Sequence, residues 1–181
     1  MSEPSGPQWC PRFPGSTSPA DLLPDFRDDV RAFISQMQDG GASVTISATF
    51  RPPQRAYLMH WCWLIAREGA DPASVPPMAG VAIDWTHNAN TSAARAAAEA
   101  MVRGYAIRFE PSLTILHTER RAIDMSIAWQ GVLTLTDFNG QRRTIASTPR
   151  DGTNLDLAAV GKTFGVIKLA SDPPHWSDDG H

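Results

Sequence analysis

The 181 residues suffice for one domain with a sizeable core, and 42% hydrophobic with 19% charged residues is an ordinary globular balance. A net charge of −3 gives no global pull towards nucleic acid or anionic lipid. No apolar run approaches the ~20 residues of a membrane span.

Residues 1–19, MSEPSGPQWCPRFPGSTSP, are rich in Pro, Gly and Ser. They read as an extended N-terminal arm or linker ahead of a single domain at 20–181, with Trp9 and Phe13 suited to docking the arm. The arm has neither the basic nor the apolar region of a Sec signal peptide. The expectation is a chain made in the cytoplasm, or one separated from a leader or neighbouring domains. A helix follows at 20–38, capped by Ser18 or Asp21, striped by Leu22, Leu23, Phe26, Val30, Phe33, Ile34 and Met37, and ended by Gly40-Gly41. SVTISATF (43–50) alternates and is β-branched, which predicts a strand. Pro52-Pro53 opens a helix at 53–68 with Tyr57, Leu58, Trp61 and Ile65 on one face. A Pro-rich loop leads to the short strand GVAIDW, and Asn90 or Thr91 caps an Ala-rich helix that Gly104 stops.

From Arg121 the period changes to two. RAIDMSIAW is one strand. VLTLTDF and QRRTIAS flank Asn139-Gly140, the signature of a type I′ hairpin. A helix at 154–163 and a last strand, GVIKL, complete an α+β chain with a mostly antiparallel sheet and helices packed on it. Cys10 and Cys62 form no CxxC or Cys/His zinc pattern; they are either one disulfide or a surface thiol and a core thiol.

Candidate chemistry lies in two segments. In HTERRAID, His117 precedes Asp124 by seven residues. Extended chain at ~3.3 Å per residue would hold them over ~20 Å apart, so they share an ion only if TERR turns back. In DPPHW, Asp172 precedes His175 by three, with two prolines restricting the backbone. Two imidazoles and a carboxylate are ligands of a catalytic zinc with one position left for water, and a further carboxylate can take the water proton. The Ala-Ile-Asp of residues 122–124 also occurs at 82–84, in GVAID. There Pro77 stands where His117 stands in the other copy, and proline binds no metal, so the site is placed on His117 and Asp124.

The order of SATFR ending at Arg51, TILHTERRAID and DPPHW resembles the zinc peptidases of the D-Ala-D-Ala carboxypeptidase/dipeptidase family. That family includes L-alanoyl-D-glutamate endolysins of phages and shares its fold with the hedgehog signalling domain. The resemblance spans roughly residues 20–177. It implies a hedgehog-like peptidase fold and Zn2+ held by His117, Asp124 and His175. It further implies Asp172 as general base and Arg51 as the cation facing the oxyanion. Two positions depart from the family pattern: Arg120 stands at its usual Gly and Ile115 at its usual Ser. Left-handed backbone at a non-glycine residue costs roughly 1 kcal/mol, so Arg120 either carries that strain or changes the turn. As a cation beside the metal it either weakens metal binding or contacts a substrate carboxylate. Trp176, next to His175, is expected at the rim of a substrate cleft.

The implied function is a zinc metallopeptidase of bacterial cell-wall stem peptides, acting in the periplasm or wall after lysis or secretion. Its bond is a terminal D-Ala, a cross-bridge or L-Ala–D-Glu. An inhibitor or delivery partner is expected if the chain is a secreted toxin. The rival readings are a wall- or zinc-binding module without turnover, and a structural domain of a larger secreted or virion assembly. On the bland reading Asp172 caps a turn, Arg51 is a surface ion-pair partner, His60 packs among aromatics, His87 is a turn residue, and Asp178, Asp179 and His181 are solvated. Glu119 and Arg121 flank the metal loop without an assigned role.

Overall fold

The computed structural model describes residues 2–108, 110, 111, 113 and 116–181; Ile115 lies outside the described residues. In chain order the elements are β1 (Glu3–Pro4), α1 (Pro24–Asp39), β2 (Ser43–Ala48), α2 (Pro53–Trp63), β3 (Ile83–Asp84), α3 (Thr91–Gly104), β4 (Ala122–Ala128), β5 (Leu133–Thr136), β6 (Arg142–Ile145), α4 (Leu155–Thr163), β7 (Ile167–Lys168) and β8 (His175–Ser177). Among the described residues the class is α+β, with four helices and antiparallel sheets as expected, and only β1 and β3 pair in parallel. Among the described residues no helix is long and apolar enough to cross a membrane. The chain forms two compact units, Met1–Pro14 with Arg51–Ile115, and Gly15–Phe50 with Leu116–His181.

The first unit packs α2 against α3. Its core is Trp9, Tyr57, Leu58, Cys62, Ile65, Val81, Trp85, Ala98, Met101, Val102 and Tyr105. The arm contributes to it: β1 pairs with β3, and the Trp9 indole is buried. The Asn90 carboxamide caps α3 by accepting from Ala93 N–H, which satisfies an amide the helix itself leaves open. Gly104, expected to stop α3, is its last helical residue, and the left-handed residue comes later, at Ala106 (φ 55°). Close approach explains the glycine, because a Cβ there would lie 2.7 Å from Cys10 Sγ. Both cysteines are free thiols, with Cys62 buried and Cys10 partly so.

The second unit builds a four-stranded antiparallel sheet in the order β2-β4-β8-β7. In β4 the alternation sends Ile123, Met125 and Ile127 into a core with Phe26, Val30, Phe33 and Met37 of α1 and Leu157 and Val160 of α4. Each fully buried aliphatic or aromatic side chain there contributes roughly 1.5–3 kcal/mol. Helix α1 starts later than expected. Ser18 caps a separate single turn at Pro19–Asp21, while α1 begins at Pro24, whose missing N–H costs nothing at a first position. Strand β8 is an addition to the expected elements.

The hairpin is also different. Asp137 and Gln141 pair across a three-residue loop, and Gly140 (φ 77°) takes the positive angle without Asn139. The Asp137 carboxylate accepts from the amides of Asn139 and Gln141 and from the Arg143 guanidinium. That favours a turn closed by a left-handed glycine over the two-residue type I′ turn.

Candidate metal centre

Alternation in β4 gives Asp124 the face opposite Ile123 and Met125. Register then places His175 of β8 directly across from Asp124, so the two side chains are cross-strand neighbours on one face. On the other side of β4, strand β2 shifts register between Ile46 and Ala48, beside Asp124. Such a bulge bends a strand and re-aims the residues beyond it; here it brings the Thr49 carbonyl to His117. His117 sits in the turn 116–120, which folds back through hydrogen bonds from the amides of Glu119 and Arg121 to the Leu116 carbonyl. The TERR segment thus makes the reversal that a shared site requires.

The three side chains converge. His117 Nε2 lies 3.0 Å and His175 Nδ1 3.1 Å from the same atom, Asp124 Oδ1. The rings stand edge to face with centroids 5.0 Å apart. One ligand atom from each residue lies within 4.8 Å of the others. Both histidines are buried, at 3% and 7% exposure.

The outward nitrogens decide the chemistry. His117 Nδ1 faces the Thr49 carbonyl at 3.3 Å and His175 Nε2 faces the His181 backbone oxygen at 3.0 Å. Neither backbone oxygen can donate, so each outward nitrogen carries the hydrogen and donates it. In a neutral ring the inward nitrogen then holds a lone pair, and it faces a carboxylate oxygen that is also an acceptor. Three converging acceptors are reconciled by a cation among them, or by a second proton on each ring. Outward donation to backbone oxygens is also the arrangement that orients histidines bound to metal. Without a metal, burial pushes the Asp124 carboxyl up, but hydrogen bonds from both rings and their charge outweigh it and hold it well below the usual carboxylate range. His117, Asp124 and His175 can therefore hold a metal ion.

The other expected site residues occupy varied settings. Asp172 and His175 are the ends of one tight turn, closed by the His175 amide donating to the Asp172 carbonyl at 3.1 Å; the Asp172 side chain is exposed. Arg51 opens the second stretch of the first unit, half-buried, just before α2. Arg120 keeps the turn and takes the strain: its φ is 64°, the left-handed region that favours glycine, and its exposed guanidinium lies 4.8 Å over the Phe50 ring. Trp176 is not at a rim. It is fully buried against Phe33, with ring centroids 5.5 Å apart, because strand alternation turns it away from the face that His175 shares with Asp124.

Asp178 and Asp179 are tied down by Arg121, whose Nε donates to Asp178 at 2.7 Å and whose other nitrogens reach Glu119 and Asp179. His60 Nδ1 donates to the Pro111 carbonyl, 2.7 Å away, and His87 meets the Ser5 hydroxyl at 2.8 Å. Asp84, the second Ala-Ile-Asp aspartate, accepts from the Thr86 amide and hydroxyl in a turn and belongs to no metal-ligand group among the described residues.

Sequence reasoning misses Thr49 and His181. They act through backbone oxygens, which every residue type offers, so no residue pattern signals them. Comparison with protein-family models, curated proteins and solved structures gives no match.

Proposed function

We propose that this chain is a zinc-dependent peptidase of bacterial cell-wall stem peptides, with the hedgehog-like peptidase fold implied by its motifs. The observation that carries the reading is the convergence of His117 Nε2, Asp124 Oδ1 and His175 Nδ1, with both outward ring nitrogens donating to backbone oxygens. Two neutral imidazoles and one carboxylate are the donor set of catalytic zinc, and three protein ligands leave a position for water or substrate. These are the three residues that the motif resemblance assigns to zinc. A second support is Arg120: the backbone is left-handed at the position where the family carries glycine.

Bound zinc would supply Lewis acidity, lowering the pKa of water to about 7 and polarising the scissile carbonyl. The protein's own part is to hold and orient. Thr49 and His181 fix the ring tautomers, and the β4–β8 register fixes Asp124 against His175. Asp172, at the first corner of the turn that ends in His175, is the carboxylate to accept the proton from water and return it to the leaving amine. Arg51 takes the oxyanion role on the strength of the resemblance.

Zinc content tests the reading. One zinc per chain is expected in the intact protein, and near zero in His117→Ala and in His175→Ala. Equal zinc in all three would remove the proposed ligand set.

A further inference from the structure

We propose that Lys168 is a positioning residue for the metal centre, its ammonium fixing the loop 169–175 that delivers His175 and Asp172. The inference rests on the metallopeptidase reading and adds a residue that none of the motifs contains. Lys168 is the last residue of β7, and its Nζ donates to three backbone carbonyls: Leu169 at 2.6 Å, Asp172 at 2.5 Å and His175 at 3.1 Å. An ammonium has three N–H donors and no acceptor, so the three carbonyls use its full capacity. Two of them belong to the proposed base and the proposed ligand.

Outside Lys168, the loop is held to β4 by the Met125 amide donating to the Pro174 carbonyl at 2.8 Å. Pro173 and Pro174 supply no N–H, so the backbone bonds within the loop reduce to Leu169 N–H to His175 O, Asp172 N–H to Leu169 O, and His175 N–H to Asp172 O. The carbonyls of Leu169, Asp172 and His175 each accept from one of those amides and again from Lys168. Charge-assisted hydrogen bonds are roughly twice as strong as neutral ones, so the ammonium holds these three carbonyls more strongly than the loop's own amides do. The same ammonium lies 5.6 Å over the Trp176 ring, next along β8. Lys168 thus grips both the loop and the strand that carries His175.

The test compares the intact protein with Lys168→Met, which keeps length and removes the donors, and with Lys168→Arg. Arginine keeps the charge, but its planar fork does not converge on three carbonyls. Co2+ is the probe, read by its d–d absorption. Losing support behind a metal ligand typically costs 10–100-fold in metal affinity, so Lys168→Met is expected to raise the Co2+ dissociation constant by that factor and weaken the absorption. Lys168→Arg is expected to recover less than half of that loss on a logarithmic scale. A second readout needs no metal: in metal-free protein, the amides of Asp172 and His175 should exchange with solvent at least tenfold faster in Lys168→Met, with β4 unchanged. Wild-type Co2+ affinity together with wild-type exchange in Lys168→Met overturns the inference. If the intact protein takes up no Co2+, the metal reading fails separately, and the exchange rates alone decide whether Lys168 fixes the loop.

Discussion

Replacing Gly161 by alanine puts one methyl group into the tightest part of the second unit. Gly161 lies within α4, and a Cβ there would stand 2.8 Å from Trp176 Cζ3, 2.8 Å from the Val166 carbonyl oxygen and 3.1 Å from Phe33 Cζ. Comfortable carbon contacts are ~3.5–4.0 Å. None of the three neighbours yields easily: Trp176 and Phe33 are fully buried, and the carbonyl is backbone. Overpacking of this kind costs about 1–3 kcal/mol, and two contacts this short place it near the upper end. Alanine regains about 1 kcal/mol of helix propensity. The net loss is about 2 kcal/mol, or a fall in Tm of about 4–8 °C for a chain of this size. Thermal denaturation of metal-free protein, followed by near-UV circular dichroism, reads it. An unchanged or higher Tm would mean that propensity outweighs packing and that the wall between α4 and β8 has slack, contrary to the distances at Gly161.

Three further outcomes are expected. Zinc at a hundredfold excess over its dissociation constant should stabilise the protein by about 2.7 kcal/mol. A chelator should reverse that shift in Tm, and Asp124→Asn should show neither response; a chelator-sensitive Asp124→Asn would move the site elsewhere. Asn154→Ala should cost about 1–2 kcal/mol in urea unfolding. It removes a cap that accepts from the amides of Asp156 and Leu157, while the Ser147 and Pro149 carbonyls to which the Asn154 amide donates belong to exposed residues and pass to water. A loss under 0.5 kcal/mol would show that water replaces the whole network. The third concerns acid. The Gln141 amide, then Arg143 and the Asn139 amide, hold the Asp137 carboxyl below its ordinary value, against the opposing effect of burial. A depressed folded value means stability that is present above the unfolded pKa of about 3.9 and lost as pH falls through the folded value. Asp137→Asn should therefore flatten stability against pH below about pH 4, and an unchanged acid limb would contradict the assignment.

The parts of the fold legible in the sequence are those where side-chain type carries the signal. The stripe of α1, the Asn90 cap of α3 and the alternation of β4 all announce themselves through apolar spacing or a capping side chain. The cluster of His117, Asp124 and His175 is legible because all three are residue types that can bind metal and they keep a motif order, with Pro77 disqualifying the second Ala-Ile-Asp. Strand β8 is not: three residues behind two prolines show no alternation, and the strand exists because β4 and β7 pair with it on either side. The expectation for Trp176 fails for the same reason, since its face depends on a strand that its own residues do not signal. The hairpin type turns on Asp137, whose carboxylate competes for the turn amides that an Asn-Gly reading leaves to the backbone. Lys168 looks like an ordinary strand-end lysine in the sequence, because its partners are carbonyls.

Mass spectrometry of purified cell-wall peptides decides whether this chain is a peptidase. The peptides would be incubated with zinc-loaded protein and, in parallel, with Asp172→Ala shown to hold the same zinc. A new product, cleaved at one peptide bond with one water added, is expected from the intact protein alone; its mass names the bond. No product from intact protein with one zinc per chain would contradict the peptidase and leave a metal-binding module in its place.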